Sequence, residues 1–198
     1  MAEVKKEETT LRKALRLGGT LFAVTAVTGL ILGFVEHGTR IAIEKAQLEA
    51  KAEALRTVMS DADNFKNAAM PAPDDYVTDI QEALNGAENV GYCFTVKSKG
   101  FGGMVEFIVG IANDGTVRGI NILNHSETPG LGAKSTEPEF YGQFANRSKL
   151  PLKVVKGSAE ADDEIAAISG ATITSNAVTT GVNAAVDYWS KNLKEGKK

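Results

Sequence analysis

Two short stretches of this chain combine residue types that can hold a ligand. Ser169-Gly170-Ala171-Thr172-Ile173-Thr174-Ser175 sets hydroxyls and small residues directly before a helical pattern. Small residues clear space, hydroxyls can donate, and a helix start offers unpaired N–H groups at the positive end of the helix dipole. That combination favours a phosphate; a hydroxyl-rich helix cap is the plainer alternative. His125-Ser126-Glu127-Thr128-Pro129-Gly130-Leu131-Gly132 is the second stretch. Its glycines and proline permit close backbone approach, and Ser126, Glu127 and Thr128 add polar groups, although a surface turn uses the same residues. No acid–base pair or nucleophilic triad stands out, and His125 is the only histidine of the globular part. The single cysteine, Cys93, excludes an internal disulfide and any cysteine-built zinc or iron–sulfur site. Lying between Tyr92 and Phe94, it reads as a small buried apolar residue.

The elements that must position these stretches follow from hydrophobic spacing. Tyr92, Phe94 and Val96 alternate within 91–97. Val105, Phe107, Val109 and Ile111 share one face of 104–112, with Glu106 and Gly110 on the other, and Ile120 and Ile122 lie in 117–123. Gly-rich and Asn-Asp-Gly turns separate the three runs, which predicts an antiparallel meander. Residues 76–85 are expected to form a short amphipathic helix through Val77, Ile80 and Leu84. Residues 138–145 are expected to be a short helix, and 150–155 an edge strand with Pro151. The clearest helix is the last, with Val178, Val182, Val186, Trp189 and Leu193 on one face and Ser175 as its N-cap. Strands followed by helices predict an α+β domain, an antiparallel sheet with flanking helices.

Upstream, Leu17 to Val35 carries no charge over 19 residues. As a helix this run reaches about 28 Å, the thickness of a bilayer's hydrocarbon core. It exceeds a signal peptide's apolar run, and no small-x-small cleavage site closes it, so an uncleaved anchor is expected. Ile41, Leu48, Ala52, Leu55 and Met59 then form a stripe in a helix-favouring segment that reads as a stalk. Pro71 and Pro73 mark a hinge within 67–75. The expected organisation is thus a tail at 1–16, a transmembrane helix at 17–35, a helical stalk and hinge at 36–75, and a globular domain at 76–198.

The chain's net charge of −3 hides an asymmetry. Lys5, Lys6, Arg12, Lys13 and Arg16 precede the apolar run, while residues 17–198 hold 17 basic against 22 acidic residues. The positive-inside rule therefore puts the N-terminus in the cytoplasm and the C-terminal domain outside the cell or inner membrane. An acidic domain with scattered lysines leaves no footprint for nucleic acid.

Together, Ser169-Gly170-Ala171-Thr172 and the His125–Gly132 stretch resemble the FMN-binding domain found in the G subunit of the Rnf complex and in the C subunit of the Na⁺-translocating NADH:quinone reductase. The resemblance covers about residues 90–190, and the lone N-terminal membrane helix fits it. It implies covalent FMN, with the flavin phosphate esterified by a separate flavin transferase to Thr172; Thr174 is the neighbouring hydroxyl. It further implies that Ser169, Gly170, Ala171, Thr174 and Ser175 surround the phosphate end. The ring would lie near Glu127, Thr128, Pro129, Gly130 and Leu131. The family's attachment motif usually has aspartate three residues before the serine. Here Ala166 stands at that position, which bears on the efficiency of flavin transfer rather than on holding flavin. The implied role is electron relay among the membrane subunits of an Rnf-type, Na⁺- or H⁺-translocating ferredoxin:NAD⁺ oxidoreductase. The chain's length suits the Rnf protein better than its longer quinone-reductase counterpart, which is the alternative beside a flavin-free anchored binding module.

Overall fold

The computed structural model describes the backbone of residues 2–194 and the side chains of residues 12–194; Lys5 and Lys6 of the basic cluster lie outside the described side chains. The chain divides into two compact units, Met1–Glu49 and Ala50–Lys198.

The first unit is helical throughout its described length, as part of α1 (Ala2–Val58). α1 contains a segment of mean hydropathy 1.9, long and apolar enough to cross a membrane. Leu21, Phe22, Leu30 and Phe34 are exposed along it. Among its described residues, Thr20, Thr25, Thr28 and Thr39 each donate a hydroxyl to a carbonyl one turn earlier. Such back-bonding leaves no hydroxyl seeking a partner in an apolar surrounding. Of the expected stripe, Ile41 and Leu48 are exposed.

The second unit is built on a five-stranded antiparallel sheet in simple sequence order. Its strands are β1 (Asn64–Ala68), β2 (Val77–Asn85), β3 (Glu88–Lys99), β4 (Met104–Ala112) and β5 (Val117–Asn124). β3, β4 and β5 realise the meander that the alternating residues predict.

Two expected helical segments are overturned. Residues 76–85 form no helix but strand β2. A register shift between Val77 and Asp79 puts Val77 opposite Val96 and Ile80 opposite Phe94, both on one face. A bulge supplies one extra residue, so the i,i+3 spacing that signals a helix here comes from a strand. The stalk helix also stops at Val58, and Asn64–Ala68 is the sheet's edge strand. Asp61, Asp63 and Asn64 are weak helix formers at that break. Beyond it, the Pro71–Pro73 segment is fastened, since the Tyr188 hydroxyl donates to the Ala72 carbonyl at 2.7 Å and accepts its N–H at 3.2 Å.

The remaining elements follow the meander. α2 (Pro138–Tyr141) runs into a single tight turn, Gly142–Phe144, close to the expected short helix. β6 (Lys153–Val155) pairs in parallel with β7 (Glu164–Ala166), so Pro151 lies just before the strand rather than in it. α3 (Thr172–Asn192) closes the fold. Its Val178, Val182, Ala185, Tyr188 and Trp189 join Phe94, Val96, Phe107 and Val109 in the main core.

The other face of the sheet carries a smaller core. Ala54, Leu55, Val58 and Met59, at the end of α1, bury Ala83, Cys93 and Ile108. Contact there is close enough that a Cβ on Gly110 would come within 2.8 Å of the Val58 carbonyl oxygen. Cys93 is 2% exposed, and burial pushes its thiol pKa up to about 12, as suits an inert packing residue.

Candidate functional site

The site forms where three segments meet: the β3–β4 hairpin tip, the loop after β5, and the start of α3. They enclose a cavity of about 340 Å³ lined by Phe101, Glu127, Thr128, Leu131, Gly132 and residues 170–174. That volume falls within the usual range for small-molecule sites. Its walls are mainly apolar, and the exposed Phe101, Leu131 and Ile173 supply them.

α3 begins at Thr172, not after Ser175. The N-cap is Ala171, which has no side-chain oxygen, and no side chain caps the helix. Thr172, Ile173 and Thr174 therefore hold first-turn N–H groups without intrahelical acceptors, a natural place for an anion. Ser175, expected as the cap, lies inside the first turn and is fully buried. Its hydroxyl accepts from Ile168 N–H and donates to the Ala171 carbonyl, both at 3.0 Å. The residue thereby fastens the loop below the helix. Above it, Gly170 takes φ +75°, a left-handed conformation that few other residues adopt without strain.

The two candidate threonines stand in different surroundings. Thr174 is 1% exposed, and its hydroxyl donates to Glu127 Oε2 at 2.7 Å. Thr172 is half-buried on the cavity wall. Glu127 is itself buried, and its Oε1 accepts from Gly102 N–H at 3.0 Å. Among the described residues it is the only ionisable side chain lining the cavity, and no lysine or arginine joins it there. An anion in the cavity would find backbone N–H groups rather than a cationic side chain.

Of the residues singled out from sequence, the cavity gathers Glu127, Thr128, Leu131, Gly170, Ala171, Thr172 and Thr174. Pro129 and Gly130 form the adjoining exposed turn, closed by Leu131 N–H to the Thr128 carbonyl at 3.1 Å. Ser169 is exposed and lines a neighbouring hollow with Gln143 and Ala166. There the Gln143 side chain bonds the Ala166 backbone, accepting from its N–H at 2.7 Å. Phe101 was missed, while Gly132 and Ile173, inside the two stretches, were given no role of their own. A signal existed for Phe101, an aromatic residue among glycines in a turn that needs no aromatic.

A meander packed on one long helix, with an apolar cavity at that helix's uncapped start, has the architecture of an FMN-binding domain. The model of the FMN-binding domain family matches residues 100–187, from the hairpin tip through most of α3. The chain is 35% identical over 175 residues to the G subunit of the proton-translocating ferredoxin:NAD(+) oxidoreductase complex of Clostridium ljungdahlii, covering 85% of this chain and 91% of that one. It is 34% identical to the G subunit of the Na(+)-translocating ferredoxin:NAD(+) oxidoreductase complex of Acetobacterium woodii, covering 98% of this chain and 100% of that one. The chain belongs to the family of G subunits of the Rnf-type ion-translocating oxidoreductase complexes. The fold is also that of the C subunit of the Na(+)-translocating NADH-quinone reductase from Parabacteroides distasonis, known from a crystal structure. That match has a TM-score of 0.51 at 24% identity and covers 60% of this chain and 64% of that one.

Proposed function

We propose that this chain carries one FMN, esterified through its phosphate to Thr172, and relays electrons within a membrane-bound ferredoxin:NAD⁺ oxidoreductase complex that moves Na⁺ or H⁺. The observation that carries the site is the contrast between the two threonines. Both line the cavity, but Thr174 is buried and committed to Glu127, whereas Thr172 is half-exposed at the start of α3. A hydroxyl that is to be esterified must be reachable, and Thr172 is.

The residues present suit FMN. The uncapped first turn of α3 offers N–H donors to a phosphate. Phe101, Leu131 and Ile173 offer apolar surface to a flat ring and exclude water from it. Bound FMN supplies the one- and two-electron redox chemistry, and the protein supplies position and surroundings. In the attached product the Thr172 Oγ would stand in place of one phosphate hydroxyl, so that the protein would carry FMN less one water. A flavin transferase is the maturation partner. The apolar part of α1 is the bilayer anchor, with its basic end cytoplasmic and the FMN domain on the opposite side.

Intact-mass measurement tests the reading. Protein matured with its transferase should gain the mass of FMN less water, localised to the peptide containing Thr172. Thr172→Ala should abolish the gain; retention of covalent flavin in that variant would refute the site and direct attention to Thr174.

A further inference from the structure

Each of the three apolar walls has a sequence neighbour against one carboxylate. Phe101 lies between Gly100 and Gly102, Leu131 precedes Gly132, and Ile173 precedes Thr174. Gly102 N–H donates to Glu127 Oε1 and the Thr174 hydroxyl to Oε2. Gly100 and Gly132 press so closely on the same group that a Cβ would come within 2.2 Å of Oε1 and 2.4 Å of Oε2, respectively. None of the ion pairs among the described residues includes Glu127. Burying a carboxylate without a cation is costly. Here one charge-assisted bond to each oxygen and the positive end of α3 offset that cost.

The hairpin tip depends on this group. Gly100 N–H is used within the tip, on the Gly103 carbonyl at 2.8 Å. Among the described residues, the bond from Gly102 to Glu127 is the only hydrogen bond that leaves the tip. The glycines bring no side chain of their own, so Phe101 stands where the backbone bond holds it.

We propose that Glu127 is a positioning residue for the flavin. Its carboxylate fastens the Phe101 tip and the Leu131 turn to the first turn of α3, and so fixes how closely three apolar walls enclose the ring. What is enclosed rests on the FMN reading; the brace belongs equally to the flavin-free protein. Glutamine at this position keeps an oxygen for Gly102 and turns its NH₂ toward the Thr174 oxygen, so it preserves most of the connection. Alanine removes both arms.

The test uses the full chain with and without flavin. Chymotrypsin cuts after aromatic residues in segments that open, and Phe101 is 72% exposed but held in a closed tip. In the flavin-free chain, Glu127→Ala should raise cleavage after Phe101 about tenfold, as loss of a charge-assisted bond raises local opening. Thr174→Val, which removes one arm, should raise it less, and Glu127→Gln should stay near the unmodified protein. Cleavage after buried Phe107 and Tyr188 reports global unfolding and should not change. In the flavin-loaded chain, iodide quenching of flavin fluorescence should rise in the same order. Equal cleavage and quenching across the variants would overturn the brace even where mass shows full flavin loading. If Glu127→Ala fails to fold, Thr174→Val decides: cleavage no greater than in Glu127→Gln also overturns it. If no variant, nor the unmodified protein, gains the flavin mass, the FMN reading fails, while the cleavage series still judges the brace.

Discussion

On one face of the sheet, Phe94, Val96, Phe107 and Val109 meet a helix whose first turn forms the cavity wall. On the other, Cys93 and Ile108 meet the end of α1 and Met59, with Phe65 and Leu123 packed beside them. The first face is large, aromatic and continuous with the site. The second is small, its buried residues Ala54, Leu55, Val58, Met59, Ala83, Cys93 and Ile108 carry no aromatic ring, and none of them lines the cavity. One sheet thus separates two tasks: α3 presents Thr172, the proposed attachment residue, from one side, and the end of α1 packs on the other.

Damage to either face should expose that division. Phe107→Ala removes a fully buried ring beneath α3. It should cost about 3–5 kcal/mol in denaturant unfolding and lower flavin attachment, because the helix bearing Thr172 loses its support. Met59→Ala, on the smaller face, should cost about 2–4 kcal/mol. It should leave attachment at Thr172 unchanged, and thiol labelling should show why. Cys93 lies in the same cluster as Met59 with its pKa pushed up to about 12, so it should resist a maleimide in the native protein and react faster in the variant. Attachment lost in Met59→Ala, or retained fully in Phe107→Ala, would break the division.

The smallest effect concerns pH. The nearby Lys149 and Lys153 ammonium groups hold the Asp163 carboxyl below its ordinary range, and N–H bonds from Glu160 and Ala161 do the same for Glu164. A carboxyl lowered by folding stabilises the native state above its unfolded pKa. That contribution disappears as pH falls through the folded value. Amide exchange in β6 and β7, corrected for its intrinsic rate, should therefore increase below about pH 4. Exchange in β4 should not change.

The parts legible in the sequence were those where one physical pattern dominated. Val105, Phe107, Val109 and Ile111 alternate without interruption between glycine turns, and β4 follows. The stretch around Thr172 stood out because its hydroxyls and small residues had no framework role. β2 was hidden by its bulges, which turn a two-residue period into a helical one at Val77 and Ile80. Ser175 looked like a cap because caps are hydroxyls, yet its hydroxyl bonds backward to Ile168 and Ala171. Glu127 read as a ligand contact because nothing local shows that both its oxygens are taken by distant segments. Cys93 read as buried, but nothing in the sequence named what covers it or Ile108, since their partners come from a helix that reads as a stalk.

That coverage has a practical consequence for anyone trimming the chain to a soluble form. Cutting at the Pro71–Pro73 segment, the boundary the sequence suggests, would discard β1 together with Ala54, Leu55, Val58 and Met59. The shortened protein would show Ala83, Cys93 and Ile108 to water and would tend to self-associate through that bare apolar patch. A start near Ala50 keeps both cores intact and leaves the exposed apolar length of α1 behind.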